Sequence, residues 1–182
     1  AVQTMNAAAA LEAVSTGRVD LALVGSVVDG SASTLWTREF GYEGIAVIAH
    51  PGNPLTTLTL PQLRDIFSGA RSRWSDVGAP TLGDIDLAAR DPGDSGRAAF
   101  DAQVMGNVRL SSNALILSSF EIAINLAAAQ PTAISYAPAS RLTGTVTNQV
   151  KMLAIDGLLP NAAGIANGSY PIARPLQIAT RA

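Results

Sequence analysis

An α/β fold is predicted by three features of the chain: short apolar runs of strand length, helical stretches between them, and turn residues at the junctions. Residues 19–24 (VDLALV) and 44–49 (GIAVIA) are the first two such runs, largely apolar as in strands buried on both faces of a parallel sheet. Ahead of the first, residues 7–14 are rich in Ala with Leu11, Glu12 and Val14, strong helix formers, and Gly17 stands at a helix stop. The second run ends at His50, Pro51, Gly52, Asn53 and Pro54, where proline and glycine forbid continued regular structure.

From Thr59 the string TLPQLRDIF places Leu60, Leu63, Ile66 and Phe67 at helical spacing, with Thr59 as cap, Pro61 in the first turn and Gly69 as the stop. Residues 85–89 (IDLAA) predict a strand that runs into the polar turn from Arg90 to Arg97 and then into a helix through Phe100 and Val104. Ser118 with Glu121 matches a capping box at the head of an apolar helix reaching Ala129, with Pro131 beyond its end. Residues 133–137, 152–155 and 176–179 predict further strands, and residues 161–169 a surface loop.

Composition excludes several classes of function. The chain has 182 residues, 48% of them hydrophobic, enough for a core in one domain or two small lobes. Twelve Lys+Arg against fourteen Asp+Glu leave a formal charge of −2, so no broad basic field exists to hold nucleic acid. No apolar run reaches the roughly 18 residues a membrane span requires. The absence of Cys removes disulfides and thiolate metal sites and suits an extracytoplasmic protein. The single His50 leaves no multi-histidine metal site or hydrolase triad, and no G-x-S-x-G elbow is present. Neither an enzyme, a metal site nor a cofactor is therefore expected. His50 reads as a hinge or surface residue, Phe67 and Trp74 as core packing, Tyr136 as a core edge with its hydroxyl satisfied, and Asp20 as orienting a strand end.

The segment LTLPQLRDIFSGARSRWSDVG (residues 58–78) resembles a stretch found in the phosphate-binding proteins of ABC importers. Three further pieces follow in the family's order: RDPGDSGRAAF (residues 90–100), where the family has an arginine and a Ser-Gly-Thr anion loop, AISYAP (residues 133–138) and YPIARPLQI (residues 170–178). GRVDLAL (residues 17–23) looks like the family's early strand. The resemblance implies a periplasmic-binding-protein-like fold: two lobes joined by crossover segments, with mostly parallel sheets flanked by helices and ligand held in the cleft. Residues 51–145 would form lobe two, and residues 1–50 with 146–182 an incomplete lobe one. Against the family pattern the chain lacks the first strand with its ligand-contacting loop and the C-terminal helix, which predicts weakened or absent binding by this stretch alone.

The implied function is an extracytoplasmic receptor, periplasmic or at the cell surface, that delivers an oxyanion, phosphate first, to the membrane subunits of an ABC importer. The alternative is a sensing or interaction module of the same fold. The candidate ligand contacts are Arg90, Asp94, Ser95, Gly96, Arg97, Ser118, Ser119 and Ser26. Glycines let backbone approach an anion, helix N-termini offer unpaired N–H groups, and an arginine fork binds oxyanions in bidentate fashion. The turn departs from the family in its hydroxyls: Asp94, Ser95 and Gly96 stand opposite Ser, Gly and Thr, or, one residue along, Arg97 replaces Thr. Asp94 would accept the proton of monohydrogen phosphate and so reject fully ionised anions. A structural reading stands beside this one, in which Arg90 pairs with Asp91 or Asp94 and Ser118 is a plain cap.

Overall fold

The computed structural model describes Gln3, residues 5–25 and residues 35–182. Helices and strands alternate as expected. Helix α1 (Ala7–Ser15) leads into β1 (Leu21–Val24), and α1 starts at Asn6, whose side chain accepts from Ala9 N at 2.8 Å. The long strand β2 (Leu35–Ala49) is followed by β3 (Thr57–Leu58), α2 (Leu60–Ser68), β4 (Asp86–Arg90) and α3 (Ser95–Phe100), which continues as a π-helical turn over Asp101–Met105. Then come β5 (Leu115–Leu117), α4 (Phe120–Ala129), β6 (Ala133–Pro138), a 3-10 turn at Ala139–Arg141, β7 (Lys151–Ile155), α5 (Ala162–Ala166) and β8 (Ala173–Arg181).

Thr59 and Gln62 form a reciprocal capping box on α2, which Gly69 ends in the left-handed conformation. The cap of α4 falls one residue later than the Ser118–Glu121 pattern suggests: Ser119 Oγ accepts from Ile122 N at 3.3 Å, and Ser118 is exposed. Residues 161–169, expected as loop, hold α5, because Asn161 caps it by accepting from Gly164 N at 2.8 Å.

The strands run in the order β1-β8-β2-β6-β4-β5, with β7 on β2 and β3 on β7. The sheet is mixed rather than mostly parallel: β2 pairs antiparallel with β6, β7 and β8, while β4 pairs parallel with β5 and β6. An apolar run reveals that both faces are covered but not the direction of its neighbour, so this could not be read from residues 44–49. β2 changes partners along its length. Residues 35–44 pair with β8, and from Ile45 onward the strand pairs with β6 and β7. Its burial changes at the same place, from mixed to completely buried over residues 44–49.

The main core lies beyond that change. Phe100 stacks on Tyr136 with ring centroids 4.2 Å apart and tilts against Phe67 at 4.5 Å. Trp74, fully buried, donates from Nε1 to Thr132 O at 2.9 Å. Leu153, Ile155, Tyr170 and Ile172 belong to this same core, although residues 146–182 were expected in the other lobe. His50 Nδ1 accepts from Gly52 N at 2.9 Å, which makes it part of the turn after β2. Tyr136 is almost fully buried and its hydroxyl accepts from Arg90 N at 3.1 Å, so the aromatic cluster supports the strand that carries the candidate site. Phe100→Ala is expected to destabilise the fold by about 3 to 5 kcal/mol, as for other buried aromatic truncations; chemical denaturation of the variant against the parent measures it.

Candidate functional site

The strand β4 ends at Arg90, a polar turn follows, and Asp94 caps α3 by accepting from Arg97 N at 3.0 Å. The layout expected from the sequence is therefore present. Its charges, however, are directed inward. Arg90 is 7% exposed; its guanidinium donates to Leu117 O at 2.8 Å and to Asp94 Oδ2 at 3.0 Å. Arg97 pairs with Asp101 at 2.7 Å and donates to Arg90 O at 3.0 Å. Both forks are thus engaged by protein atoms, as the structural reading of Arg90 proposed. Asp94 has its two oxygens divided between the helix cap and Arg90, so it serves as counterion and cap together.

In front of this turn lies a polar cavity of about 380 Å³, lined among others by Asp94, Ser95, Ser140, Arg141, Arg174 and Glu43. Five separate stretches meet there: the head of α3, the head of α4, the end of β6 with the 3-10 turn after it, β8 and β2. Arg174 crosses the gap. Its guanidinium donates to Glu43 through Nε at 3.0 Å and through Nη2, and Nη1 donates to the Ser95 hydroxyl. Both side chains of the Arg174–Glu43 pair are nearly buried, at 12% and 13% exposure, so desolvation makes their mutual satisfaction mandatory. Gly25 is what lets the guanidinium lie there: a Cβ at that position would fall 2.8 Å from Arg174 Cζ. Ser140 in turn donates to Glu43 Oε1.

Arg141 differs from the other three arginines. Among the described residues it enters no ion pair; it lies over the Phe120 ring, 4.9 Å from the centroid, at the cavity wall. Glu121 is its nearby countercharge, and that carboxyl is held below its ordinary range first by a hydrogen bond to its own backbone N–H, then by Ser119 and by the charges of Arg141 and Arg90. Arg141 and Arg174 line the cavity against Asp94 and Glu43, so its lining is balanced in charge, with Arg141 the one of these two cations that enters no ion pair among the described residues.

Of the residues singled out in the sequence, Asp94 and Ser95 line the cavity, Gly96 is buried behind them, and Arg90 and Arg97 brace the turn. Ser119 caps α4, whose first residue Phe120 lines the wall, and Ser118 is exposed. Ser26 lies outside the described residues. Glu43, Ser140, Arg141 and Arg174 were not singled out. Arg174 stands inside the YPIARPLQI segment, and Ser140 and Arg141 follow directly on a predicted strand, so a search of strand ends would have found three of them. Glu43 carries no local signal.

The PBP superfamily domain matches residues 1–181. The chain belongs to the PBP superfamily. Within the superfamily it is 27% identical over 141 residues to the phosphate-binding protein PstS of Bacillus subtilis, an alignment covering 78% of this chain and 45% of that protein. The chain thus spans less than half the length of that curated relative. A putative phosphate ABC transporter substrate-binding protein with bound phosphate, from Clostridium perfringens, superposes with a TM-score of 0.87 at 26% identity, covering 97% of this chain and 72% of that one. An ABC-type phosphate transport receptor from Vibrio cholerae superposes at 0.80 with 23% identity, covering 100% and 75%. The periplasmic-binding-protein-like fold expected from the motifs is the observed one. No helix of the described residues is long and apolar enough to cross a membrane.

The inward pair sets a stability prediction for this PBP superfamily turn. Asp94→Asn keeps a cap acceptor but removes the charge beside nearly buried Arg90, and is expected to cost roughly 1.5 to 3 kcal/mol. Asp94→Ala should cost more, by a helix cap worth about 1 kcal/mol. Urea unfolding of the two variants orders them.

Proposed function

We propose that the chain is the ligand-binding part of an extracytoplasmic solute receptor that holds an oxyanion of the phosphate class between two lobes and delivers it to the membrane subunits of an ABC importer. The observation that carries this reading is the polar cavity, where a serine on α3, a serine and an arginine outside any ion pair after β6, and an arginine on β8 converge. The likeness to a receptor solved with bound phosphate supports it. Binding and release involve no covalent step, and the absence of Cys fits a location in the periplasm or at the cell surface.

The change of partners along β2 supports a lobe crossing at Gly44 and Ala173, with the residues before 44 and after 172 in lobe one and residues 45–172 in lobe two. On that division Arg174 and Glu43 belong to the crossing itself. Ser95, Ser140 and Arg141 face them from lobe two. An anion seated between them accepts from the Ser95 hydroxyl, whose proton is left over because its oxygen accepts from Arg174, and from Arg141, which swings off the Phe120 face at small cost because no ion pair among the described residues has to break. Micromolar affinity corresponds to about 8 kcal/mol, which roughly four charge-assisted hydrogen bonds of about 1.5 to 3 kcal/mol would supply before ordering costs. Asp94, already occupied twice, acts by holding Ser95 at the head of α3.

Calorimetric titration of the protein with phosphate, sulfate, molybdate and tungstate tests the reading. Phosphate is expected to bind, and Arg141→Ala to weaken that binding roughly ten- to hundredfold, the loss of one charge-assisted contact. Full affinity in Arg141→Ala would exclude the proposed geometry, and absence of heat with all four anions would exclude the oxyanion class.

A further inference from the structure

Beside the polar cavity lies a second one of about 560 Å³, and the two share Glu43 and Ser140 in their walls. The character of this neighbour is opposite. Tyr42, Pro160, Ala162, Ile165, Ala166 and Leu176 give it a surface made mainly of carbon. It is built between the crossing strands and α5, and Gly44 sets its depth: a Cβ there would fall 2.7 Å from Ile165 Cδ1 and 3.0 Å from Pro160 Cβ. Ala162 and Ala166, four residues apart on α5, present one small face to the space.

We infer that the site takes a phosphate monoester, with its dianionic head in the polar cavity and its organic group in the adjoining apolar one. The inference rests on the oxyanion reading of the polar cavity and names the class of anion. Two physical points carry it. First, Glu43 and Ser140 line both cavities and are joined by a hydrogen bond from the Ser140 hydroxyl, so the two spaces adjoin at that pair of side chains. Second, apolar surface of this extent is worth covering: each methylene moved onto it from water improves affinity about fourfold. Inorganic phosphate reaches none of that surface.

Butyl phosphate and inorganic phosphate titrated into the protein test this, with Ala166→Phe as the variant, because that exposed position fills the apolar cavity without entering the core. Butyl phosphate is expected to bind at least about tenfold tighter than inorganic phosphate, three or four methylenes being partly covered. The advantage should vanish in Ala166→Phe while inorganic phosphate binds as before. Equal or weaker binding of butyl phosphate overturns the ester assignment and leaves the oxyanion reading intact. If neither compound binds, both fall. An advantage that persists in Ala166→Phe puts the organic group elsewhere and removes the cavity from the site. Vesicles of phosphatidylcholine and phosphatidic acid form a last arm: sedimentation with them in the absence of soluble-ester binding would assign a lipid headgroup and overturn a soluble ligand.

Discussion

The nearly buried guanidinium of Arg174 is the contact around which the site is organised. Glu43 takes two of its donors and Ser95 a third, so a residue on β8, a residue on β2 and the head of α3 are held to one point. The pair has lost most of its water, which makes leaving either partner alone costly and keeps the three elements in register. Gly25 and Gly44 permit the arrangement from behind, one by leaving space for the guanidinium and the other by admitting Ile165 and Pro160 against the strand.

Given that bridge, the remaining charges divide into two kinds. Arg90 and Arg97 are tied to Asp94 and Asp101 and stiffen the turn between β4 and α3, with Tyr136 and Phe100 stacked beneath it. Among the described residues Arg141 enters no ion pair and lies over a ring face, with Glu121 as its nearby countercharge. Donors fixed by protein partners set the shape of a site, and a donor outside any ion pair can be recruited without breaking one. Within the sequence motif at residues 90–97, Arg90 and Arg97 brace the turn while Asp94 and Ser95 line the cavity.

Much of the fold was legible because it depends on local chemistry. The Thr59–Gln62 box, Pro61 and Gly69 delimit α2 as their types require, and the largely apolar runs at residues 44–49 and 133–137 are fully buried strands. Residues 35–43 were missed, since their alternating exposure in β2 is broken by glycine and charge and leaves no clean period. The helix at Ala162–Ala166 was missed because four small residues and a single Ile carry no apolar stripe, only the Asn161 cap.

The amino-acid order alone determined that the chain is an α/β protein without thiols, a multi-histidine site or a basic field, and it placed Asp94 and Ser95 at a helix head, because caps, breakers and periodicity act within a few residues. Which arginine is held by protein oxygens and which lies over a ring was decided by the tertiary fold. Arg90 and Arg141 have the same chemistry, and what separates them is a carboxylate and a carbonyl within reach of one and an aromatic face beneath the other. Asp94 lies only four residues from Arg90, but Leu117 lies 27 residues away and Glu43 lies 131 from Arg174, and only chain crossings bring those within hydrogen-bond distance.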